Sequence, residues 1–272
     1  MDQATDPRAS WDKAGPELLD KLVTTRDKLL DKLVELNQLE YHTCPRLEYE
    51  YQCKIGRHDY ELFRVQTDLA RVKRKVSFVK IALANGVSPD MPQITRVLDK
   101  EFGDSEQQLA RHRTFLERLE HSKPPTVSAA QAAQIEEKHR ELVERLHPDL
   151  NEQYATLRSR TYLQMVEAYR CYDYTRLCDV DAISRWMVSA QFSELNFTPS
   201  SPADLLAMYE VSIGFTQRTI DEVKGNYPYA QRALLDDEDR LAKSIEDMNS
   251  LIAEYRDEYA ILEMELNMLL ES

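Results

Sequence analysis

Apolar residues along this chain recur in steps of three and four, and the breaks between such runs divide it into helices. The run LLDKLV occurs at 18–23 and again at 29–34. A spacing of eleven residues is about three helical turns, so both copies share one face. The pattern predicts a first helix from Pro16, a residue suited to a first turn, to about Leu39. The segment YHTCP is expected to break it, because the residue before proline avoids the helical region. Residues 1–15 read as a polar, disordered lead-in. A second helical pattern covers about Leu47 to Ala84, weakened early by Gly56 and carried by Tyr60, Phe63, Leu69, Val72, Val76 and Val79. Asn85-Gly86 is a stop signal, followed by Pro89 and Pro92. A third helix over about 91–121 is expected to fold back on the second. Lys123-Pro124-Pro125 closes this region, giving an N-terminal helical or coiled-coil segment at 16–122.

Beyond that boundary Ser128 is placed to cap a helix over 129–146. His147-Pro148-Asp149 then interrupts the pattern, a helix from about Glu152 to Tyr172 follows, and an apolar helix with Trp186 and Met187 spans about 177–192. NFTPSSP at 196–202 reads as a linker with a helix cap at Ser201. The most regular periodicity comes last. Leu241, Ile245, Met248, Ile252, Tyr255, Tyr259, Leu262, Leu266 and Leu269 form a heptad seam. A shorter helix at 203–224 precedes it, with a turn at Gly225-Asn226, so 195–272 is expected to form an antiparallel hairpin. The shorter arm leaves part of the seam for a second copy of the chain or for the N-terminal helices. The expected class is all-α, with long antiparallel helices or coiled coils flanking a helical hairpin at 126–194.

Composition narrows what such a protein does. Six glycines are too few for a strand-and-turn architecture. A net charge of −13 argues against nucleic acid as partner. The chain has no run of about 18 apolar residues, so a spanning helix and a membrane partner are not expected. MDQATDPRAS lacks the apolar centre of a signal peptide, which points to a cytoplasmic protein. The four cysteines form no CxxC pair and read as reduced thiols.

The segment ELVERLHPDLN carries the most information. Ile135, His139, Leu142, Val143 and Leu146 lie on one helical stripe leading to His147. Across the loop, Tyr162, Met165, Ala168 and Tyr169 form a complementary stripe, and Glu167-Ala168-Tyr169 stands about twenty residues after Asp149. Together these features resemble the J-domain of DnaJ-type co-chaperones, in which an HPD loop joins two antiparallel helices and acts on a DnaK-type ATPase. The resemblance implies a hairpin core that includes Leu142, Leu146, Met165 and Tyr169. It also implies a docking surface made of His147, Pro148 and Asp149 with the cations Lys138, Arg140 and Arg145. His147 and Asp149 would supply polar contacts, Pro148 would fix the loop, and the cations would steer the encounter with an acidic chaperone surface.

Three features depart from the family pattern. The helix QIEEKHRELVERL sets Glu136, Glu137, Glu141 and Glu144 against its cations. Leu150 stands where the family carries lysine or arginine, and the short first helix is absent before Ser128. Something else must therefore brace the hairpin, such as the helix at 104–121 or at 177–192. The segment CPRLEYEYQCKIGRHDYELFRVQTDLARVKRKVSFVKIALANG is also similar to the N-terminal region of a group of uncharacterised bacterial proteins. Those join it to a J-like segment and a C-terminal coiled coil. Two functions follow as expectations. One is a non-enzymatic J-like co-chaperone or adaptor that engages a DnaK-type chaperone. The other is a coiled-coil scaffold with a degenerate J-like hairpin and no ATPase stimulation.

Other constellations have plainer readings. His42, Cys44, Cys53 and His58 are zinc-ligand types, but H-x-C-x8-C-x4-H is not a familiar knuckle and idle or buried thiols explain it better. His139 stands two turns before His147, too far to share a metal ion with it, and reads as packing. The basic run Arg71-Val72-Lys73-Arg74-Lys75 reads as a solvated helix face. No phosphate loop, nucleophile elbow or catalytic triad is present. No enzyme activity, metal or cofactor is expected.

Overall fold

Helical structure accounts for every regular element among the described residues of this computed structural model, which are 7–119, 126–151, 155–189 and 200–271. The helices are α1 (Pro7–Asp12), α2 (Pro16–Gln38), α3 (Cys44–Lys54), α4 (Gly56–Ala84), α5 (Met91–Glu101), α6 (Gly103–Leu119), α7 (Ala129–Leu146), α8 (Ala155–Arg170), α9 (Tyr174–Ser189), α10 (Pro202–Gly225), α11 (Arg232–Leu235) and α12 (Glu238–Glu271). The all-α class follows directly. Among the described residues no helix is long and apolar enough to cross a membrane.

Several local signals decide helix ends as the sequence suggests. Ser128 and Gln131 form a reciprocal capping box at the start of α7, and the Ser201 hydroxyl accepts from the Asp204 N–H at the start of α10. Other boundaries differ. Pro7–Asp12 is helical although the expected lead-in covers 1–15; residues 1–6 lie outside the described set. YHTCP does not end helical structure. Leu39–Thr43 widens into a π turn, with the Cys44 N–H donating to the Leu39 carbonyl five residues back. Pro45 follows directly, so its missing N–H and its ring fall where the regular ladder is already interrupted. The helix expected over 91–121 is two helices, α5 and α6, divided at Phe102. The boundary at 123–125, most of the linker at 196–202 and the start expected at Glu152 lie outside the described residues.

The chain separates into two compact units that are not consecutive stretches. Unit 1 is Met1–Arg46 with Pro124–Ala230, and unit 2 is Leu47–Lys123 with Gln231–Ser272. The consecutive segments 16–122, 126–194 and 195–272 are therefore redistributed between the two.

In unit 1, α2 and α10 pack along their lengths. Three polar links fix their direction. The Trp11 indole donates to the Ser200 carbonyl at 3.0 Å, Lys21 pairs with Glu210 at 2.9 Å and Lys224 with Glu35 at 2.6 Å. The partners stay 189 positions apart from one end to the other, so the helices run parallel. Buried Leu22, Thr25 and Leu29 of α2 and Leu206, Tyr209, Thr216 and Ile220 of α10 keep steps of three, four and seven. Leu30 and Leu33 extend this buried face, and α7 also packs on α2. Helices α7, α8 and α9 pack on one another and complete one apolar cluster from Leu22 through Leu142, Met165 and Leu177 to Tyr209. Each such fully buried side chain contributes roughly 1.5–3 kcal/mol.

In unit 2, α4 and α12 form a second parallel pair. His58 meets Asn249, Lys73 meets Glu258 at 2.6 Å and Lys80 meets Glu265 at 2.5 Å, numbers rising together on both helices. Val65, Leu69, Val72, Val76 and Val79 of α4 are buried at alternating steps of four and three, and every residue of the C-terminal seam is buried or half-buried. Helices α5 and α6 pack on α4.

This pairing corrects the expected C-terminal hairpin. The arm at 203–224 lies on α2 and the seam of α12 lies on α4, so of the partners open to the seam an N-terminal helix takes it. Gly225-Asn226 ends a helix, but a turn signal does not choose the partner of the helix that follows. The basic run is a helix face with Lys73 and Arg74 exposed, as expected, and its cations carry partners. Arg71 pairs with Asp99 and Glu106, Lys73 with Glu258, and Arg74 with Glu101 while its guanidinium lies over the Phe78 ring. That face is neutralised by α5, α6 and α12.

Candidate functional site

The HPD segment is a capped corner between α7 and α8. His147 ends α7 in extended backbone, and Pro148–Leu150 makes one turn of 3-10 helix. The His147 Nδ1 accepts from the Asp149 N–H at 3.2 Å, and its ring stands edge-on to Tyr162. The Asn151 amide donates to the carbonyls of Glu144 (2.9 Å) and His147 (3.1 Å), and the Arg158 guanidinium donates to the Arg145 carbonyl. These donors satisfy the open carbonyls at the end of α7. Across the corner, Tyr162 faces His147 and Tyr169 faces His139 and Glu136, so α8 returns antiparallel to α7. His147 and Pro148 are half-buried, and Asp149 is exposed. Burial pulls the His147 imidazole below its ordinary value, and the Asp149 carboxylate opposes the shift.

Leu142, Leu146, Met165 and Tyr169 are all buried. Leu150 is buried too, in the cluster that contains Leu22, Leu206 and Tyr209, and the turn touches both α2 and α10. That placement explains an apolar residue where the J-domain pattern has a cation.

The three cations attributed to docking are each held by a carboxylate of the same unit. Arg140 reaches Asp31 of α2 at 2.6 Å. Lys138 meets Glu141 at 2.6 Å and Asp181 at 3.6 Å. Arg145 meets Asp181 at 2.5 Å and the Ser184 hydroxyl at 2.7 Å. Burial raises the Asp181 carboxyl, but hydrogen bonds from Arg145 and Arg185 outweigh it and hold the group below its usual range. Asp181 thus ties α9 to α7. Helix α9 is one of the two braces expected from sequence; α6, the other, belongs to unit 2, and α2 is the brace that local sequence missed. Asp181 had a legible signal, a carboxylate within the apolar stripe of Leu177, Val180, Ser184 and Met187. Asn151 and Arg158 had none.

A polar core lies behind the corner. The Asn37 amide donates to His139 Nε2 at 3.1 Å and to the Tyr162 hydroxyl at 2.9 Å. Assigned from this network, the His139 ring proton sits on Nδ1, a buried atom without a hydrogen-bond partner. Burial lowers the His139 pKa to about 4, against the nearby Glu136 carboxylate. Its ring stacks on Tyr169 at 3.7 Å, while His42, from the π turn, lies 4.0 Å from both Tyr169 and Tyr172. The Tyr169 hydroxyl donates to Glu136 at 2.8 Å, and burial with that carboxylate raises the phenol well above its ordinary range. Burial similarly pushes Tyr162 up to about 12. Tyr172 adopts φ +54°, a left-handed helix end that glycine usually takes. Its ring stacks on His42.

His42 therefore stacks on Tyr172 and hydrogen-bonds the Tyr169 carbonyl, and His58 hydrogen-bonds Asn249. Of the groups considered for metal chemistry, His139 faces Asn37 and Tyr169, while His147 faces Tyr162 and the Asp149 N–H. No family model, curated protein or solved structure matches the chain.

Proposed function

We propose that this protein is a non-enzymatic J-like adaptor that offers its HPD turn to a DnaK-type chaperone. The observation that carries the reading is the corner itself. His147 and Pro148 are anchored, α8 returns antiparallel, and Asp149 is left exposed at the tip. Recognition rests on the shape of the turn and on Asp149, because Lys138, Arg140 and Arg145 are engaged by Glu141, Asp31 and Asp181. Such an encounter lacks strong electrostatic steering and depends weakly on salt. Steady-state ATP turnover of a DnaK-type chaperone tests this. Stimulation is expected with the native chain, lost in Asp149→Asn and His147→Gln, and changed only on the order of twofold by salt above physiological levels. Absence of stimulation across chaperones and concentrations would sink it.

A second reading, the scaffold, is favoured by one observation. Leu150 and the paired cations make the corner part of the internal packing of unit 1. It predicts that Asp149→Asn leaves every protein partner bound in a pulldown.

A further inference from the structure

Helix α10 turns one face to α2, and among the described residues its outer face is exposed. On the outer face Met208, Val211 and Phe215 are 48%, 72% and 65% exposed, large values for apolar side chains that follow one another at steps of three and four. The stripe continues outward with charge. Asp204 stands four residues before Met208, and Arg218 three after Phe215, both exposed. Ala207 and Gly214, seven residues apart on the same face, are exposed as well, and a Cβ at Gly214 would meet nothing within 4 Å.

The order Asp204, Met208, Val211, Phe215, Arg218 reads as its own complement in reverse. Laid antiparallel on a second copy of itself, Val211 meets Val211 at the two-fold axis. Met208 and Phe215 come within one residue of register, seated against the small Gly214 and Ala207 of the other copy, and Asp204 meets Arg218 at each end. A parallel alignment instead sets Asp204 on Asp204 and Arg218 on Arg218. The small residues at 207 and 214 permit close approach of the two backbones. Another exposed apolar stripe of similar spacing, Ile261, Met264 and Met268 on α12, lacks this property. Asp257 and Glu271 bracket it, so pairing with itself in either direction opposes carboxylates.

We propose that the outer face of α10 is a self-complementary interface that joins two copies of this chain in an antiparallel, two-fold arrangement. This is an isologous contact, in which one patch serves both partners. It spans about 21 Å of helix from Asp204 to Arg218. A single helix pair of that length is small for a permanent dimer, so association is reversible and depends on concentration. The proposal does not rest on the HPD turn, and its outcome leaves chaperone stimulation a separate question.

Sedimentation velocity of the full chain over a concentration series tests it. A monomer–dimer equilibrium is expected. Val211→Asp, Asp204→Arg and Arg218→Asp are each expected to weaken it by at least about tenfold. All three positions are exposed, and an unchanged circular dichroism spectrum and melting temperature will verify folding. The deciding measurement mixes the two charge variants. Alone, each places like charges at both ends of the contact. In Asp204→Arg both end positions are cationic, and in Arg218→Asp both are anionic. One copy of each variant therefore restores an opposite-charge pair at both ends, and a mixed dimer forms. A chain that stays monomeric at every concentration overturns the proposal. So does a dimer indifferent to Val211→Asp, or one that Val211→Asp breaks while charge reversal and mixing have no effect.

Discussion

Two parallel helix pairs, α2 with α10 and α4 with α12, are built from the same three-four spacing of apolar residues and end in different environments. In unit 1 the pair is one wall of a deeper core, because α7 also packs on α2, and α8 and α9 complete the same apolar cluster. Within that core lie an asparagine, two histidines and two tyrosines joined by hydrogen bonds and ring stacking. In unit 2 the pair is mainly a seam. Its apolar line is flanked by exposed ion pairs one heptad apart, Lys73 with Glu258 and Lys80 with Glu265. A seam needs only apolar side chains at the right steps. A layered core also has to find partners for most of the polar groups it encloses, and here all but the His139 Nδ1 of that network are engaged, which gives the HPD corner a defined shape.

The comparison is most sharply tested by equal truncations in the two units. Leu142→Ala, in the layered core, is expected to destabilise unit 1 by about 4–5 kcal/mol, while Ile252→Ala, in the seam, costs about 2 kcal/mol. A cavity enclosed by three layers collapses less than one beside solvent. Denaturant unfolding of both variants checks this, and equal losses would erase the distinction.

Acidification should separate the units next. Unfolded, the His139 imidazole titrates near 6.5, while in the fold it stays neutral down to about 4. Between those values the unfolded chain binds the extra proton. Stability from this group is therefore complete above about pH 6.5 and declines as pH falls toward 4, by about 3 kcal/mol in total. Glu136, also held below its ordinary value, is lost in the same direction at lower pH. Thermal melts across this range should show the decline in the native chain and a flatter profile in His139→Phe, which keeps the ring stacked on Tyr169.

The smallest effect belongs to the seam's flank. A double-mutant cycle on Lys80 and Glu265 should return about 0.2–1 kcal/mol, reduced by added salt, since both side chains are substantially exposed. A larger, salt-independent coupling would mean that unit 2 depends on its charges more than its apolar line.

Much of the candidate site was legible locally. Stripes on 135–146 and 162–169 mark the buried faces of α7 and α8, and Ser128 marks where the first begins. The partners of Lys138, Arg140 and Arg145 were not legible, because Asp31 and Asp181 lie on other helices and their charges look solvent-exposed in a one-dimensional pattern. His42 shows the same limit. Beside two cysteines and His58 it suggests a ligand, and only the approach of α8 to the π turn turns it into a stacking ring.

By itself the sequence determined the helical class, some of the helix ends and many of the faces that must be buried, because propensity, capping and three-four periodicity act within a few residues. Tertiary structure alone decided which faces meet. Periodicity states that an apolar stripe needs a partner without naming it. The partners of α10 and α12 proved to be α2 and α4, each far away along the chain, where shape and charge along the whole helix outweighed the nearest turn.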